Sequence, residues 1–571
     1  MSIYKFFLPP TVTVSKSISS VDIDLYGHAD TLYTALRNGD YIARLDQIPQ
    51  LGPVFVPKDR RITRLQYMNI QLYLHQVARK QRHCQWEYSY GSNLFTTSQT
   101  YKGMSLASIS IAEALQMLVI LYNVGHFYNT FCASRAIILQ ANANTEFKEK
   151  LCSLFHETEF REIAKNMINQ YQYEKWHLLN TYLLLQNITL STEDENTCKY
   201  LLLLCLGSDT VTQTSKTKYL LRLFYEIRGL AYAACDLHNF KLALSIDIHN
   251  RKEIETLLKE LLSKYNNPKS TRQMLVSIRK LLSDVSYNEP ANVLCYYNVS
   301  QQLQRRISQC NILEYHTLWS DEMSPINQRC MIHHYDKQNV LKLTFQPKHF
   351  TVFQRIFEKI QHYEHIDYGY YTRPDGEYTL LVNLKPHLTT TQMYNTTHRI
   401  TQLMMSYLKP HYDTNAKEFT ILAKFFLGHI FNNNHVEIKS DIEQACVYCL
   451  RGYQQKQQKL KDICTRQTSP DMQHETLLML QQLSEPINDT SLLIPASIQV
   501  FHYADGKRED IAEFDGVVIH PYRKQILFLE AKNRKRSAHA VQQLTGSLQK
   551  FNIHATAIPS GRDAYAIWQY L

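Results

Sequence analysis

The sequence predicts a multidomain α+β fold: a large helical part comes first, followed by smaller parts that mix helices with strands. Three observations predict it. Chain breakers are scarce in the 571 residues, with 16 Gly and 17 Pro, against averages of roughly 7% and 5%. Scarcity of breakers favours long helices over many-turned β-structure. Apolar residues then recur at three- and four-residue spacing from 61 to 325. Beyond Met331 that period gives way to short apolar runs with strand-like alternation.

Taken in order, residues 1–60 read as an irregular segment. They hold strand-like pieces at Thr11–Val14 and Val54–Val56, and turn signals at Pro9-Pro10 and Gly52-Pro53. Asp22 and Asp24 alternate with Val21, Ile23 and Leu25, which suits the exposed face of a strand. The helical domain, 61–325, shows its period in Leu65–Val77, Ala112–Tyr122, Tyr200–Leu206, Tyr219–Leu230 and Ile254–Leu262. Its longest apolar stretch, Ile109–Phe127, is interrupted by Ser110, Glu113, Gln116, Asn123 and His126. That stretch is too polar to span a bilayer and reads as a buried core helix.

Residues 326–410 carry a β-α-β-β-α order. The strands are Val340–Phe345, Ile366–Thr372 and Tyr378–Leu384, with helices at His349–Tyr363 and Thr390–Leu408 and a turn at Arg373-Pro374-Asp375-Gly376. This order predicts a small ferredoxin-like α+β domain. Residues 411–465 read as a helical connector ending in the Gln/Lys-rich face Gln454–Lys461. The CxxC of Cys446-Val447-Tyr448-Cys449 falls inside it and reads as structural thiols on a helix, because a zinc site needs a second ligand pair. The last domain, 466–571, is expected to run helix His474–Leu483, strands Ser497–Tyr503, Ile511–Ile519 and Ile526–Lys532, then helix Ala538–Phe551.

Composition bounds the function loosely. The net charge of +10 favours a polyanionic partner only weakly over so large a surface. The 12 Cys lack a framework spacing and read as reduced thiols of a cytoplasmic protein, and Met1–Val14 lacks the pattern of a secretory signal.

Chemistry concentrates near the C-terminus. Residues two apart on a strand share a face, so Glu513 and Asp515 point the same way as each other, and so do Glu530 and Lys532. If the strands pair across the loop His520–Gln525, both sets converge on one patch. Carboxylates beside a lysine suit a hard divalent cation such as Mg²⁺, which takes oxygen ligands and substrate phosphates. Such an ion activates a bound water and neutralises charge on a phosphate, while Lys532 orients the water or stabilises developing charge. An Asp between Phe514 and Val517-Val518 also needs a partner, because an unpaired buried charge costs several kcal/mol.

Asp515 in EFDGVVI and Glu530-Ala531-Lys532 in LFLEAKN resemble the motif of the PD-(D/E)xK nuclease superfamily, the restriction-endonuclease-like proteins. The proline of the motif is absent, since Phe514 precedes Asp515. The resemblance implies a restriction-endonuclease-like α/β domain, with Asp515, Glu530 and Lys532 as the catalytic cluster. It further implies an acidic metal ligand on the first helix, here Glu475, and a Gln on the following helix, here Gln543 with Gln542 as alternative. Glu513 is a supporting carboxylate. Arg534, Lys535 and Arg536 in KNRKR would contact the phosphate backbone at the mouth of the site. His520 and Tyr522 are assigned no catalytic role.

A fainter resemblance lies in the helical domain. Tyr122-Asn123 followed by Gly125-His126, with Tyr67 upstream, is similar to an HD phosphohydrolase signature from which the metal ligands are missing. It implies a degenerate helical scaffold without HD catalysis. The expected function is therefore a cytoplasmic, Mg²⁺-dependent endonuclease, with Mn²⁺ as alternative ion. Its expected partner is nucleic acid, DNA ahead of RNA because most members of the superfamily cut DNA, and no membrane. Prokaryotic antiviral defence is an analogy, and protein partners or a homo-oligomer are further expectations. The competing expectation is a catalytically silent nucleic-acid-binding or assembly subunit of a nucleoprotein complex.

Overall fold

The structure, a computed structural model, describes residues 2–8, 19–53, 61–80, 93–96, 100–211, 213–240, 246–262, 269–283, 287–308, 340–373, 375–408, 416–439, 447–466, 490–532, 538–560 and 563–569. The chain is mixed α+β and divides into two compact units, Met1–Ile332 and His333–Leu571. Among the described residues no helix is long and apolar enough to cross a membrane. Eight described cysteines are free, and all of these but Cys464 are buried.

The first unit opens on an antiparallel hairpin, β1 (Ser2–Leu8) against β2 (Ser19–Leu25), followed by α1 (Gly27–Asn38). The expectation of an irregular segment over 1–60 is thus corrected. Ile23 and Leu25 are buried while Asp22 is exposed, as strand alternation requires. Ala29, Leu32, Tyr33 and Leu36 form the buried stripe of α1 at three- and four-residue spacing. The expected pieces Thr11–Val14 and Val54–Val56 lie outside the described residues.

The rest of this unit is helical. It runs α2 (Arg64–Lys80), a two-residue hairpin of β3 (Thr100–Tyr101) and β4 (Met104–Ser105), then α3 (Ile111–Val124), α4 (Phe131–Ala143), α5 (Thr145–Ser153), α6 (Thr158–Asn169), α7 (Trp176–Leu185), α8 (Thr192–Leu206), α9 (Ser215–Asn239), α10 (Arg251–Leu262), α11 (Lys269–Leu282) and α12 (Pro290–Ser308). The organising element is α3. A capping box closes its start, with Ser110 and Glu113 each satisfying the other's backbone N–H. Nearly every residue of α3 is buried, and α1, α2, α7, α8 and α9 pack around it. A helix apolar on all sides has no solvent face to keep, and the expectation that Ile109–Phe127 holds a buried core helix agrees with α3.

The second unit begins with β5 (Leu341–Phe345), α13 (Phe350–Ile360), β6 (Ile366–Thr372), β7 (Tyr378–Leu384) and α14 (Thr390–Leu408). The β-α-β-β-α order matches the sequence expectation. The sheet order is β5-β7-β6, antiparallel throughout. The turn between β6 and β7 closes with Gly376 at φ 84°, which glycine adopts without strain.

α15 (Ala416–Ile430) follows, and then β8 (His435–Lys439), β9 (Tyr448–Arg451) and α16 (Tyr453–Arg466). The expected helical connector therefore contains two strands, and Cys449 of the CxxC lies on β9. Cys446 is outside the described residues. A run as short as Val447–Leu450 fits strand or helix equally by periodicity, and length alone would have decided for strand.

The remaining elements are β10 (Thr490–Ile494), β11 (Ser497–Ala504), β12 (Lys507–Phe514), β13 (Gly516–His520), β14 (Gln525–Glu530), α17 (Ala538–Gln549), β15 (Thr556–Ser560) and β16 (Asp563–Gln569). They form two sheets, one of six strands in the order β15-β16-β14-β13-β10-β9 and one of three in the order β12-β11-β8. Leu493, Val518, Leu527 and Leu529 share one face of the larger sheet with Leu460 and Ile463 of α16. The helix expected at His474–Leu483 lies outside the described residues.

Candidate active site

The stretch expected as one strand, Ile511–Ile519, is two. β12 ends at Phe514 in the three-stranded sheet, and β13 begins at Gly516 in the six-stranded one. Asp515 is the single residue between them. The chain changes sheets there because its neighbours pair with different strands: Phe514 stays opposite Ile498 of β11, and Gly516 pairs with β14. Phe514 is fully buried and stacks on Phe431, with ring centroids 5.3 Å apart and planes 7° from parallel. Phe431 also meets Phe528 and Phe551. Gly516, by contrast, pairs with Leu529 of β14.

The pairing that the convergence argument required is present. β13 and β14 are antiparallel from Gly516 opposite Leu529 to His520 opposite Gln525. Leu527 and Leu529 face α16, so the alternate residues Phe528 and Glu530 face the Phe431 cluster. Val517 lies opposite Phe528 on that same face, and Asp515, two residues earlier, falls there too.

Hydrogen bonds fix the arrangement. The Asp515 N–H donates to the Leu529 carbonyl at 3.0 Å. The Ala531 N–H donates to Asp515 Oδ2 at 2.5 Å, which holds one carboxylate oxygen at the end of β14. Lys532 Nζ lies 2.5 Å from Glu530 Oε1 in an ion pair. Glu530 is 1% exposed and the Lys532 side chain 30% exposed. An acid, a backbone donor and a base are thus gathered around the buried end of β14.

The electrostatics follow from that packing. Burial pushes the Glu530 carboxyl up to about 7, Asp515 pushes in the same direction, and Lys532 opposes them. Burial also raises Asp515, against the Ala531 N–H and Lys532, which favour its charged form. Asp515 thus raises Glu530 while burial raises both, and a cation held between them would relieve both.

The other expected residues divide. Glu513 is exposed on β12 and accepts a hydrogen bond from Ser497 Oγ at 2.5 Å. It lies near enough to raise both Asp515 and Glu530, but it does not share a strand face with Asp515, because the strand breaks between them. Gln543 and Gln542 are both exposed on α17, whose buried face is Ala540, Leu544, Ser547 and Leu548. Gln543 is spaced three after Ala540 and four before Ser547, at the border of that face, whereas Gln542 points away. Glu475, Arg534, Lys535 and Arg536 lie outside the described residues. Among the described residues no group of three or more His, Cys, Asp or Glu is gathered closely enough to hold a metal. Of the expected acidic residues, Asp515 and Glu530 are the two brought together at the end of β14.

His520 stands at the far end of β13, roughly 13 Å along the strand from Gly516. It is buried, and burial with Lys456 and Arg523 nearby holds its imidazole down to about 3. Tyr522 is 49% exposed beyond it. Neither is placed for chemistry at Asp515.

Sequence reasoning missed two contributors. One is the Ala531 backbone N–H, invisible because any residue supplies it. The other is Ser497, one residue beyond the pair Ile498–Phe514, whose hydroxyl donates to Glu513; a bulge between Val500 and Phe501 shifts the register by one, so counting back from the turn at Asp505-Gly506 misplaces it. No family model, curated protein or solved structure matches the chain.

Proposed function

We propose that the chain is a Mg²⁺-dependent nuclease with its catalytic centre at Asp515, Glu530 and Lys532. The observation that carries this reading is the meeting of a buried Glu530 carboxyl, the half-buried Asp515 carboxylate that raises it, and a lysine paired with Glu530 at the end of β14. Nothing in ordinary core packing requires this, since burying like charges together is unfavourable. The residues fit a hard cation: Asp515 keeps one oxygen bound to Ala531 N–H, and its other oxygen and the Glu530 carboxylate can ligate. When bound, Mg²⁺ supplies Lewis-acid polarisation of the phosphate and an activated water. The chain's own residues do the positioning. The Ala531 N–H fixes the Asp515 carboxylate, burial holds Glu530 in one orientation, and Lys532 sets a positive charge beside the reacting phosphate. The order of strands around Asp515 and the helix α17 support a restriction-endonuclease-like reading of this region, as the β-α-β-β-α order from β5 to α14 supports a ferredoxin-like one.

The test is cleavage of plasmid DNA, single-stranded DNA and RNA with Mg²⁺, Mn²⁺ or EDTA, by wild type, Asp515→Ala and Lys532→Ala. Metal-dependent cleavage that falls at least ~100-fold in both variants is expected. Equal cleavage by all three proteins would sink the assignment, and absence of cleavage alongside nucleic-acid binding would favour the silent binding subunit.

A further inference from the structure

The first unit contains a buried polar cluster that its packing does not explain. Arg64 of α2 is 5% exposed and lies over the Tyr67 ring at 5.4 Å. The Tyr67 hydroxyl reaches the backbone of Arg228 on α9, and the Arg228 guanidinium sits 4.7 Å over Tyr122 of α3. Tyr122 meets His177 of α7 edge-on at 4.8 Å, and His177 stacks on His126 at 4.1 Å with planes 11° apart. Contacts thus run unbroken from Arg64 to His126, and Arg44 donates to the His126 carbonyl at 2.6 Å from the other side.

Several of these groups lack well-formed hydrogen bonds. They include Nε of Arg64 and of Arg228, both ring nitrogens of His177, and Oδ1 of Asn123. Buried orphans of this kind call for a missing partner such as water or an ion. Arg44 spends both terminal nitrogens on the carbonyls at the end of α3. Arg64 gives one terminal nitrogen to the Gln50 carbonyl at 2.7 Å, and its Nε, like that of Arg228, stays unpaired among the described residues. Asp236, the carboxylate that acts on Arg64, is bonded to Tyr287, Gln50 and Asn239. Burial and the surrounding guanidiniums push both imidazoles down, so they are neutral and can offer a donor without adding charge.

We infer that Arg64 and Arg228, beside the stacked His126 and His177, form a binding site for the phosphate group of a ligand. Guanidinium forks match phosphate oxygens and hold them better than a lysine would. A bound phosphate would neutralise two like charges that act against each other. Arg228, which is only half-buried, is the side from which it would enter. The site belongs to a different unit from Asp515 and does not depend on the nuclease reading.

The test is calorimetric titration of the full chain with inorganic phosphate and with a nucleoside 5′-monophosphate, in chloride buffer with EDTA. Saturable binding of either is expected. Preference for the nucleotide would assign the phosphate to a nucleotide, and equal binding would assign a free oxyanion. Asp515→Ala should bind like wild type, which separates this site from the catalytic one. Arg228→Gln and Arg64→Gln should bind at least ~10-fold more weakly, and Arg222→Gln, exposed on the same helix, should not. Arg228→Lys keeps the charge while losing the fork and should fall between, so the reading survives a misfolded Arg64 variant. Absence of saturable binding by wild type, or Arg228→Gln binding as tightly as wild type, would overturn it.

Discussion

Glu530→Gln should make the metal-free protein more stable at pH 8, although it removes an ion pair. Glu530 is raised from 4.5 to about 7 in the folded chain. At roughly 1.4 kcal/mol per pH unit, holding its charged form in the fold costs up to about 3 kcal/mol. That cost is already net of the pair with Lys532, which pulls the carboxyl down. The variant therefore gains up to about 3 kcal/mol, or roughly 6–12 °C in the melting temperature of a unit this size. The sign fixes the pH window. The folded state binds the Glu530 proton more tightly than the unfolded state, so wild-type stability falls as pH rises from 4.5 to about 7 and is level above. Glutamine has no such proton. The variant's advantage should therefore vanish near pH 4.5 and be complete by pH 8. Urea unfolding in EDTA at four pH values in that range measures it. A variant less stable than wild type at pH 8, or an advantage that does not change with pH, would refute the argument that the carboxyl is buried at a cost.

Two further outcomes follow. Added Mg²⁺ should raise the wild-type melting temperature, by about 2.7 kcal/mol of stability at a hundredfold excess over Kd, and the rise should disappear in Asp515→Ala; a rise of equal size in that variant would put the ion elsewhere. Phe431→Ala should destabilise by about 3–5 kcal/mol, because Phe431 is fully buried against Phe514, Phe528 and Phe551, and cleavage should fall with it because Phe514 adjoins Asp515. A loss under 1 kcal/mol in urea unfolding would show that the cluster does not anchor the strand break.

Much of the fold was legible because it rests on local periodicity. β6 and β7 coincide with the expected strands, since their apolar runs are bounded by a turn that needs Gly376. The approach of Asp515 to Glu530 was legible for the same reason: two apolar strands separated by a short loop pair with each other, and alternation then sets the faces. What escaped depends on long-range packing. No local signal says that Phe514 stacks on Phe431, more than eighty positions earlier, so the break at Asp515 was read as a continuous strand. β8 and β9 escaped because their partners β11 and β10 lie far along the chain, and an isolated four- or five-residue run carries too little pattern to decide. α1 was overlooked although its stripe is regular, because Gly27 and the polar residues around it look like a loop.

The most direct measurement is the cleavage rate of Glu530→Gln at saturating Mg²⁺, beside its stability. The account predicts a folded, more stable protein whose cleavage is at least ~100-fold slower than wild type, since the variant keeps the shape of the side chain and loses only the charge. Cleavage within about twofold of wild type would contradict it, because the carboxylate at the centre of the proposed site would then contribute nothing to the reaction.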